Sequence, residues 1–459
     1  MVGMEKSIRP QLDHFVWPLL ALTLLLLSLF WFRGGVTPLY FDTDMGRDLS
    51  ELSNIWLHHI VWIGPRLGPG LQASPSYYYF FFPFLLLGGG NANALIIGNV
   101  LFALVSLAIF GYLSVRKWGW AALFGVGVLG ILPWWTENIL RFGNGYTFAF
   151  WELLGITFLW FDFPFLLSAL CLGTAISFHP AAIFVLPILG SEWWRRKHQL
   201  KQLPLIAFGL LLPWAPIIWF EFITKGYLTR QWLAHPSAGM YWQLTLANWH
   251  QMSNALGVGL WVATLGVATI ILMAKRRMKV WVGATAAASV FFLFVDSLPL
   301  RYVLGVLVLW SFLAVITFVQ HKWGRVLLAS WFVLLLINNV IFAKPLLPAS
   351  RSITSVQNVA NQFVAQTPLD QSKKIAVVAV LTPQVEVPQA DDYRFFLRLK
   401  GLKVLEVQQY SQADLLIEFI EVPNFSWQTW SSWETDQISN RHLVSDQQIN
   451  GTEVVVYSK

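Results

Sequence analysis

A single cysteine, Cys171, stands in 459 residues, so neither an intramolecular disulfide nor a cysteine metal cluster is available. Set in an apolar run, it reads as a small buried hydrophobe. Charge is scarce as well. Only 12% of residues are charged, about half the share of an ordinary soluble domain. A nucleotide-binding glycine loop is missing, because Gly88 to Gly90 run into Asn-Ala-Asn-Ala rather than Lys-Ser or Lys-Thr. No strong internal repeat is visible. Nor does the start of the chain read as a cleavable signal. The first apolar run, Phe15 to Phe32, is about membrane length and leads into Trp-Phe-Arg-Gly-Gly, which suits an uncleaved span.

What is abundant is apolar and aromatic. Hydrophobic residues make up 56% of the chain, with 25 Trp and 35 Phe. Aromatics in such numbers suit the boundary between water and lipid, and the chain reads as an integral membrane protein. Its formal charge of +7 does not point to nucleic acid. Residues 1–344 carry 22 basic and 12 acidic side chains, whereas 345–459 carry 9 and 12. The positive excess belongs to the membrane part, where orientation signals lie.

A helix needs roughly 20 apolar residues to cross the hydrocarbon core. Candidate spans are 14–33, 93–113, 118–135, 146–160, 163–178, 180–192, 203–220, 253–273, 280–296, 299–318 and 325–343. That makes about 11 transmembrane helices, with a range of roughly 10–13. Tyr77 to Gly90 is long enough for a buried or re-entrant helix but marginal as a crossing. Basic clusters fall at Lys6/Arg9, Arg116/Lys117, Arg195–Lys197 with Lys201, Lys275–Arg277 with Lys279, and Lys322/Arg325. With all of them in the cytoplasm, these spans alternate without contradiction. The N-terminus is then cytoplasmic, and loops 34–92, 135–145 and 221–252 face out together with the tail.

The tail has another texture. Residues 354–366 read as an amphipathic helix and 392–401 as a short helix ending at Gly401. Residues 373–380, 403–410, 414–422 and 452–458 read as strands. The expected architecture is a polytopic α-helical membrane domain, 1–344, with outer-face juxtamembrane helices in its first loop, 34–92. A small extracytoplasmic α/β domain, 345–459, follows it.

The stretch FDTDMGRDLSEL, Phe41 to Leu52, concentrates four carboxylates and one arginine in that first loop. Asp42 or Thr43 can cap a helix that carries Asp44, Arg47, Asp48 and Glu51 on one face. A capped, solvated interfacial helix accounts for that much, since early carboxylates also favour the helix dipole. The company suggests more: His58, His59, Arg66 and the run Tyr77, Tyr78, Tyr79 point to a site that handles polar matter. A carboxylate there can act as general base toward a hydroxyl or amine. It can instead help to hold a divalent cation, Mg or Mn, that neutralises phosphate. Arginines nearby can clamp a phosphate bidentately. Such groups suit a donor anchored by its lipid tail, attacked at the anomeric carbon with the lipid phosphate leaving.

The motifs follow a recognisable order. One span leads to DMGRD, Asp44 to Asp48, then the helix LSELSNIWLHH and the loop IGPRLGPGLQASPSYYYFFFP. A GGNAN turn and a helix ending in VRKWG come next. In this order the chain resembles the GT-C superfamily of membrane glycosyltransferases. It is most similar in style to the family 39-like branch, with protein O-mannosyltransferases and aminoarabinose transferases as relatives. The resemblance implies an inverting enzyme that moves a hexosyl or pentosyl group from a polyprenyl-phosphate donor. The acceptor would be a glycan, lipid or protein at the outer face of the cytoplasmic membrane. The catalytic carboxylate falls on Asp44 and the second acidic position on Asp48, and the same pair would hold a metal if one is used.

Further along, WTENILRFGNG brings Arg141 and Asn144, FHPAAIFVLPIL brings His179, and SLPLRYVLGVL brings Arg301 and Tyr302. Arg66, Arg141 and Arg301 are expected on the donor phosphate. Arg47, Tyr77, Tyr78, Tyr79, Asn144, His179 and Tyr302 are expected in the substrate pocket. The chain departs from the pattern at Met45, where relatives carry glutamine, and at SPSYYY, where they carry GPLYYY. Both departures change a pocket without removing the base.

Blander accounts stand beside these. His179 can be structural, Asp296 and Arg301 can pair across the turn Ser-Leu-Pro, and Glu137 can pair with Arg141 four residues on. Other functional classes are a transporter or flippase, a polymerase of lipid-linked glycans, and a non-catalytic subunit of a glycan assembly machine. A transporter wants charges near the midplane and two related halves, whereas here the charges gather at outer helix ends.

Overall fold

Lipid offers no partner to a bare backbone, so apolar runs of this length must close their hydrogen bonds within helices. In the computed structural model they do. The structure describes residues 5–34, 41, 43–68, 71–196, 200–234, 246–257, 259–293, 300–341, 351–381, 390–429, 432–438 and 440–459. The candidate residues Asp42 and Asp296 lie outside these.

The helices are α1 Glu5–Trp31, α2 Thr43–Trp56, α3 Ser76–Leu87, α4 Asn93–Trp118, α5 Ala122–Ile131, α6 Pro133–Asn138, α7 Asn144–Trp160 and α8 Phe165–Phe178. They continue as α9 Leu186–Arg195, α10 Leu203–Leu211, α11 Ala215–Ile223, α12 Tyr227–Ala234, α13 Leu246–Ala255, α14 Leu260–Met273, α15 Arg276–Leu293, α16 Leu300–Gln320 and α17 Lys322–Ile341. In the tail follow α18 Ile353–Gln366, α19 Asp391–Leu399 and α20 Trp433–Asp436. The strands are β1 Arg66–Gly68, β2 Leu71–Gln72, β3 Lys374–Val380, β4 Lys403–Val404, β5 Leu415–Ile420, β6 His442–Ile449 and β7 Thr452–Ser458.

Among the described residues, three helical stretches are long and apolar enough to cross a membrane: Asn93–Ile131, Leu200–Ile223 and Arg301–Gln320. Phe15–Trp31, Ser76–Leu87, Phe165–Phe178 and Ala263–Met273 are shorter apolar helices. Several expected crossings are broken. Residues 118–135 form α5 and α6, split before Pro133, which lacks the N–H to continue. Residues 180–192 form a 3-10 turn, Pro180–Val185, and then α9. Residues 253–273 break between α13 and α14 at Gly257, whose φ of +67° ends the helix. A β-carbon there would also lie 2.4 Å from Leu335.

The chain divides into two units. The first comprises Met1–Val36, Trp62–Phe81 and Leu95–Pro345; the second comprises Thr37–Val61, Phe82–Ala94 and Leu346–Lys459. In the first, α16 is buried along almost its whole length and contacts α5, α7, α13, α14, α15 and α17. Small residues let helices close in. A β-carbon at Gly125 would meet Val315 at 2.4 Å, at Gly155 Leu172 at 2.5 Å, and at Gly173 the Leu210 backbone at 2.6 Å. On α1, Phe15, Leu19, Leu22, Leu25, Leu26 and Leu29 are exposed, as on a helix flank that faces lipid.

The second unit holds a five-stranded sheet in the order β4-β3-β5-β7-β6, with β3–β4 and β3–β5 parallel and the rest antiparallel. β3 and β5 are apolar and buried, as central strands should be. The expected strand at 403–410 is cut to Lys403–Val404, after which the chain turns into a 3-10 helix, Val407–Gln412. The cause is Tyr410. Its hydroxyl turns in to donate to the Val377 carbonyl at 2.5 Å while its ring joins the cluster on the sheet. Strand β6 was not foreseen. It is an exposed edge strand joined to β7 through Asn450 and Gly451, whose φ values of 52° and 84° suit a tight hairpin.

Candidate active site

In the second unit, α2 presents two faces. Met45, Leu49 and Leu52 are buried on one of them, as is Phe41 ahead of the helix. Met45 therefore stands on a packing face, which accounts for an apolar residue at that position. On another face Arg47 bridges the two aspartates. Its Nη1 donates to Asp44 Oδ1 at 3.0 Å, and its Nε and Nη2 donate to Asp48 Oδ1 at 3.0 and 2.8 Å. The Asp44 side chain remains 41% exposed whereas Asp48 is wholly buried. Among the described residues, no three His, Cys, Asp or Glu side chains converge as metal ligands. Arg47 supplies positive charge to both carboxylates.

Further carboxylates surround the motif. Burial, with Glu406, Asp391 and Asp48 adding repulsion, pushes the Glu51 carboxyl above its ordinary range, although it accepts a bond from Asn54. Burial likewise raises Asp391, against the pull of Arg394.

The helix rests on the tail. α2 lies along α19, and the face that meets it is small. A β-carbon at Gly46 would lie 3.2 Å from both the Cβ and the backbone N of Asp392. Ser50 and Ser53 accept from Arg398 Nη1 at 3.2 and 3.3 Å. Before α2, Arg351 Nη1 donates to the Phe41 carbonyl at 2.7 Å, and the Phe41 N–H donates back to the Arg351 carbonyl at 3.0 Å. Neither Arg351, Asp392 nor Arg398 was a sequence candidate. The spacing of Gly46, Ser50 and Ser53, a stripe of small residues on one helix face, was the signal to read.

The first unit holds a second group. Asn99 on α4, fully buried, donates to the carbonyls of Ile139 and Arg141 at 3.0 and 2.8 Å and accepts from Thr147 at 2.9 Å. It thereby fixes the turn that carries Arg141 into α7. Asn144, at the start of α7, donates to the Phe178 carbonyl at 3.0 Å. His179 follows Phe178 and caps the next turn, its Nδ1 accepting from the Ala181 N–H at 3.2 Å. The imidazole stacks on Phe148 at 5.0 Å and meets the edge of Tyr302 at 5.0 Å. Arg301 lies over the start of α7, where a β-carbon at Gly145 would sit 3.1 Å from its Cδ.

Asn144, His179, Arg301 and Tyr302 are thus brought together, with Arg141 on the adjoining turn. Tyr77 reaches the group through Phe178, with ring centroids 5.3 Å apart. Tyr77 and Tyr78 are buried core aromatics, whereas Tyr79 is 38% exposed. Arg66 stands exposed on the β1–β2 hairpin. That hairpin is seated by Ser74, whose N–H donates to the Ser177 carbonyl at 3.1 Å and whose hydroxyl donates to the Pro213 carbonyl at 2.6 Å. Ser74 belongs to the SPSYYY departure, so the serine there is a docking contact.

Apolar helices long enough to cross a membrane, with a buried polar cluster at their ends, are the fold of a multi-pass membrane protein. Two solved structures share it. One is ArnT from Cupriavidus metallidurans in the apo state, with a TM-score of 0.62 at 13% identity, covering 95% of this chain and 97% of that one. The other is the same protein bound to undecaprenyl phosphate, with a TM-score of 0.64 at 14% identity and the same coverage. The resemblance read from the sequence motifs is thus borne out at the level of fold. No protein-family model matches the chain, and neither does any curated protein.

Proposed function

We propose that the chain is an inverting glycosyltransferase that moves a sugar from a polyprenyl-phosphate donor to an acceptor at the outer face of the cytoplasmic membrane. The observation that carries this reading is the end-to-end likeness in fold to a protein crystallised with undecaprenyl phosphate. Asp44 is the base. It takes a proton from an acceptor hydroxyl or amine as that oxygen or nitrogen bonds the anomeric carbon. The bond from that carbon to the phosphate oxygen breaks, and its electron pair leaves on the polyprenyl phosphate. Attack opposite the leaving group inverts the centre.

The exposure of Asp44 and the burial of Asp48 support dividing the roles. Asp48 fixes Arg47, and Arg47 orients Asp44. Arg301, Arg141 and Arg66 neutralise the charge that develops on the departing phosphate. Asn144, Tyr302 and Tyr79 of the first unit take substrate-pocket roles, with Tyr77 and Tyr78 as buried aromatics behind them, and Arg47 of the second unit takes a substrate role of its own beside Asp44. His179 joins them as a neutral ring, because its Nδ1 serves as an acceptor and its proton sits on Nε2. It donates a hydrogen bond rather than a charge. The reading keeps the N-terminus cytoplasmic and the sheet-bearing tail outside.

The test is Asp44→Asn, assayed in membranes for transfer from an undecaprenyl-phosphate sugar after checking that undecaprenyl phosphate still binds. Loss of a general base lowers turnover by about 100-fold or more. Unchanged turnover would remove Asp44 from the mechanism.

A further inference from the structure

We propose that Arg351 is a positioning residue: it sets the start of α2, and therefore Asp44, against α19, so the C-terminal segment is part of the catalytic apparatus. The proposal rests on the reading of Asp44 as the base.

Arg351 is buried and every arm of its guanidinium is used. Nη1 donates to the Phe41 carbonyl at 2.7 Å, Nε donates to the Glu421 carboxylate at 2.9 and 3.1 Å, and Nη2 donates to Asp392. Phe41 is itself fully buried, and its N–H bonds back to the Arg351 carbonyl. The residue before α2 is thus held through both its N–H and its carbonyl. Glu421 is fixed in turn by the Tyr393 hydroxyl at 2.8 Å, and the Tyr393 ring stacks on Phe419 of β5 at 3.9 Å. The clamp therefore reaches the middle of the sheet.

Asp392 is the hinge of the arrangement. Its carboxylate holds Arg351 while its backbone and Cβ lie against Gly46, the residue between Asp44 and Asp48 in the motif. Arg398 grips the other half of α2 through Ser50 and Ser53. A helix held at two places along one face cannot rotate, and rotation is what would swing Asp44 away. A guanidinium suits this task because its planar fork serves three acceptors at once.

Two variants of the full chain test the proposal by hydrogen exchange of the 43–56 amides and by sugar transfer. Arg351→Gln removes the clamp. The 43–56 amides are expected to exchange about tenfold faster or more, with the β3 amides unchanged. The turnover number falls at least tenfold while the Michaelis constant for the donor stays within about twofold. Gly46→Ala keeps every charge and raises helix propensity, yet its new methyl group pushes against Asp392. It is expected to speed exchange of α2 and to lower turnover, whereas a gain in protection would overturn the proposal. Equal loosening of α2 and β3 in Arg351→Gln would also overturn it, since the residue would then serve the domain at large. Arg441→Gln, elsewhere in the same sheet, is the control and leaves α2 unchanged. If Asp44→Asn keeps full turnover, the assignment of the base fails while the exchange result still stands.

Discussion

Glu192 and Asp162 share two arginines, Arg195 and Arg277, yet the structure requires them to matter very unequally. Glu192 on α9 is 2% exposed in its side chain and accepts four hydrogen bonds. Arg195 Nε donates at 2.6 Å, Arg277 Nε and Nη2 at 2.9 and 3.0 Å, and the indole of fully buried Trp281 at 2.9 Å. Asp162 receives Arg195, Arg196 and Arg277 but its side chain is 51% exposed. Hydrogen bonds to a charged group are worth about 1.5–3 kcal/mol each when buried, and a broken buried pair costs roughly 3–5 kcal/mol.

In Glu192→Gln the new amide faces donors, so at least two of the four bonds are lost. Arg277 keeps the Leu159 carbonyl at 3.0 Å and Arg195 is half open to water, which softens the loss. About 2–4 kcal/mol remains. Asp162→Asn breaks pairs that water already screens and should cost about 0–1 kcal/mol. With roughly 2 °C per kcal/mol for a chain of this size, thermal unfolding in detergent should fall about 4–8 °C for Glu192→Gln and about 2 °C or less for Asp162→Asn. Equal drops would refute the reasoning that burial, not the number of partners, sets the worth of these carboxylates.

Two further outcomes follow from the same physics. Burial between two apolar clusters on the sheet pushes the Glu418 carboxyl up to about 7, with Arg441 offsetting it only in part at 3.4 Å. The folded form keeps a proton that the unfolded chain releases above the ordinary carboxylate range. Its contribution is therefore complete at low pH and lost as pH rises toward 7, by roughly 3 kcal/mol at most. Denaturation of the sheet should come earlier at pH 8 than at pH 5, and Glu418→Gln should flatten that slope. Asn99→Ala removes three hydrogen bonds around the turn that carries Arg141, about 3 kcal/mol in all. It should weaken undecaprenyl phosphate binding about tenfold, and unaltered affinity would take Arg141 off the phosphate.

The sequence was most legible where one segment carries its own signal. Asp44 and Asp48 stand out because carboxylates are rare in so apolar a chain, and motif order alone led to the GT-C fold. The central strand β3 announces itself as an apolar run and β5 as one broken only by Glu418, and α18 and α19 as amphipathic periods. Edge structure was harder. β6 is mostly polar, with Leu443 and Val444 themselves exposed, so only the Asn450–Gly451 turn marked it, and the alternation in 403–410 was outweighed by a buried tyrosine hydroxyl seeking a carbonyl. Breaks in the expected spans came from Pro133, Pro180 and Gly257, residues whose effect on a helix is local but whose tolerance in lipid depends on neighbours.

The two arginines of the clamp were illegible for a different reason. In a tail of nearly balanced charge, Arg351 and Arg398 look like solvated side chains, because burial of a guanidinium appears only when its acceptors arrive. Those acceptors come from Phe41 and from Ser50 and Ser53, about three hundred residues away in the chain. The division into units carries the same logic, since Thr37–Val61 and Phe82–Ala94 fall with Leu346–Lys459. A cut between membrane part and tail, natural by composition, would part α2 from the helix it lies along. Hydropathy sorts residues by their solvent, whereas Gly46 and the two serines are sorted by the shape and donors of α19. That is why a stripe of small residues on an otherwise charged helix is the more informative mark: it says that another helix must come to within contact of the motif.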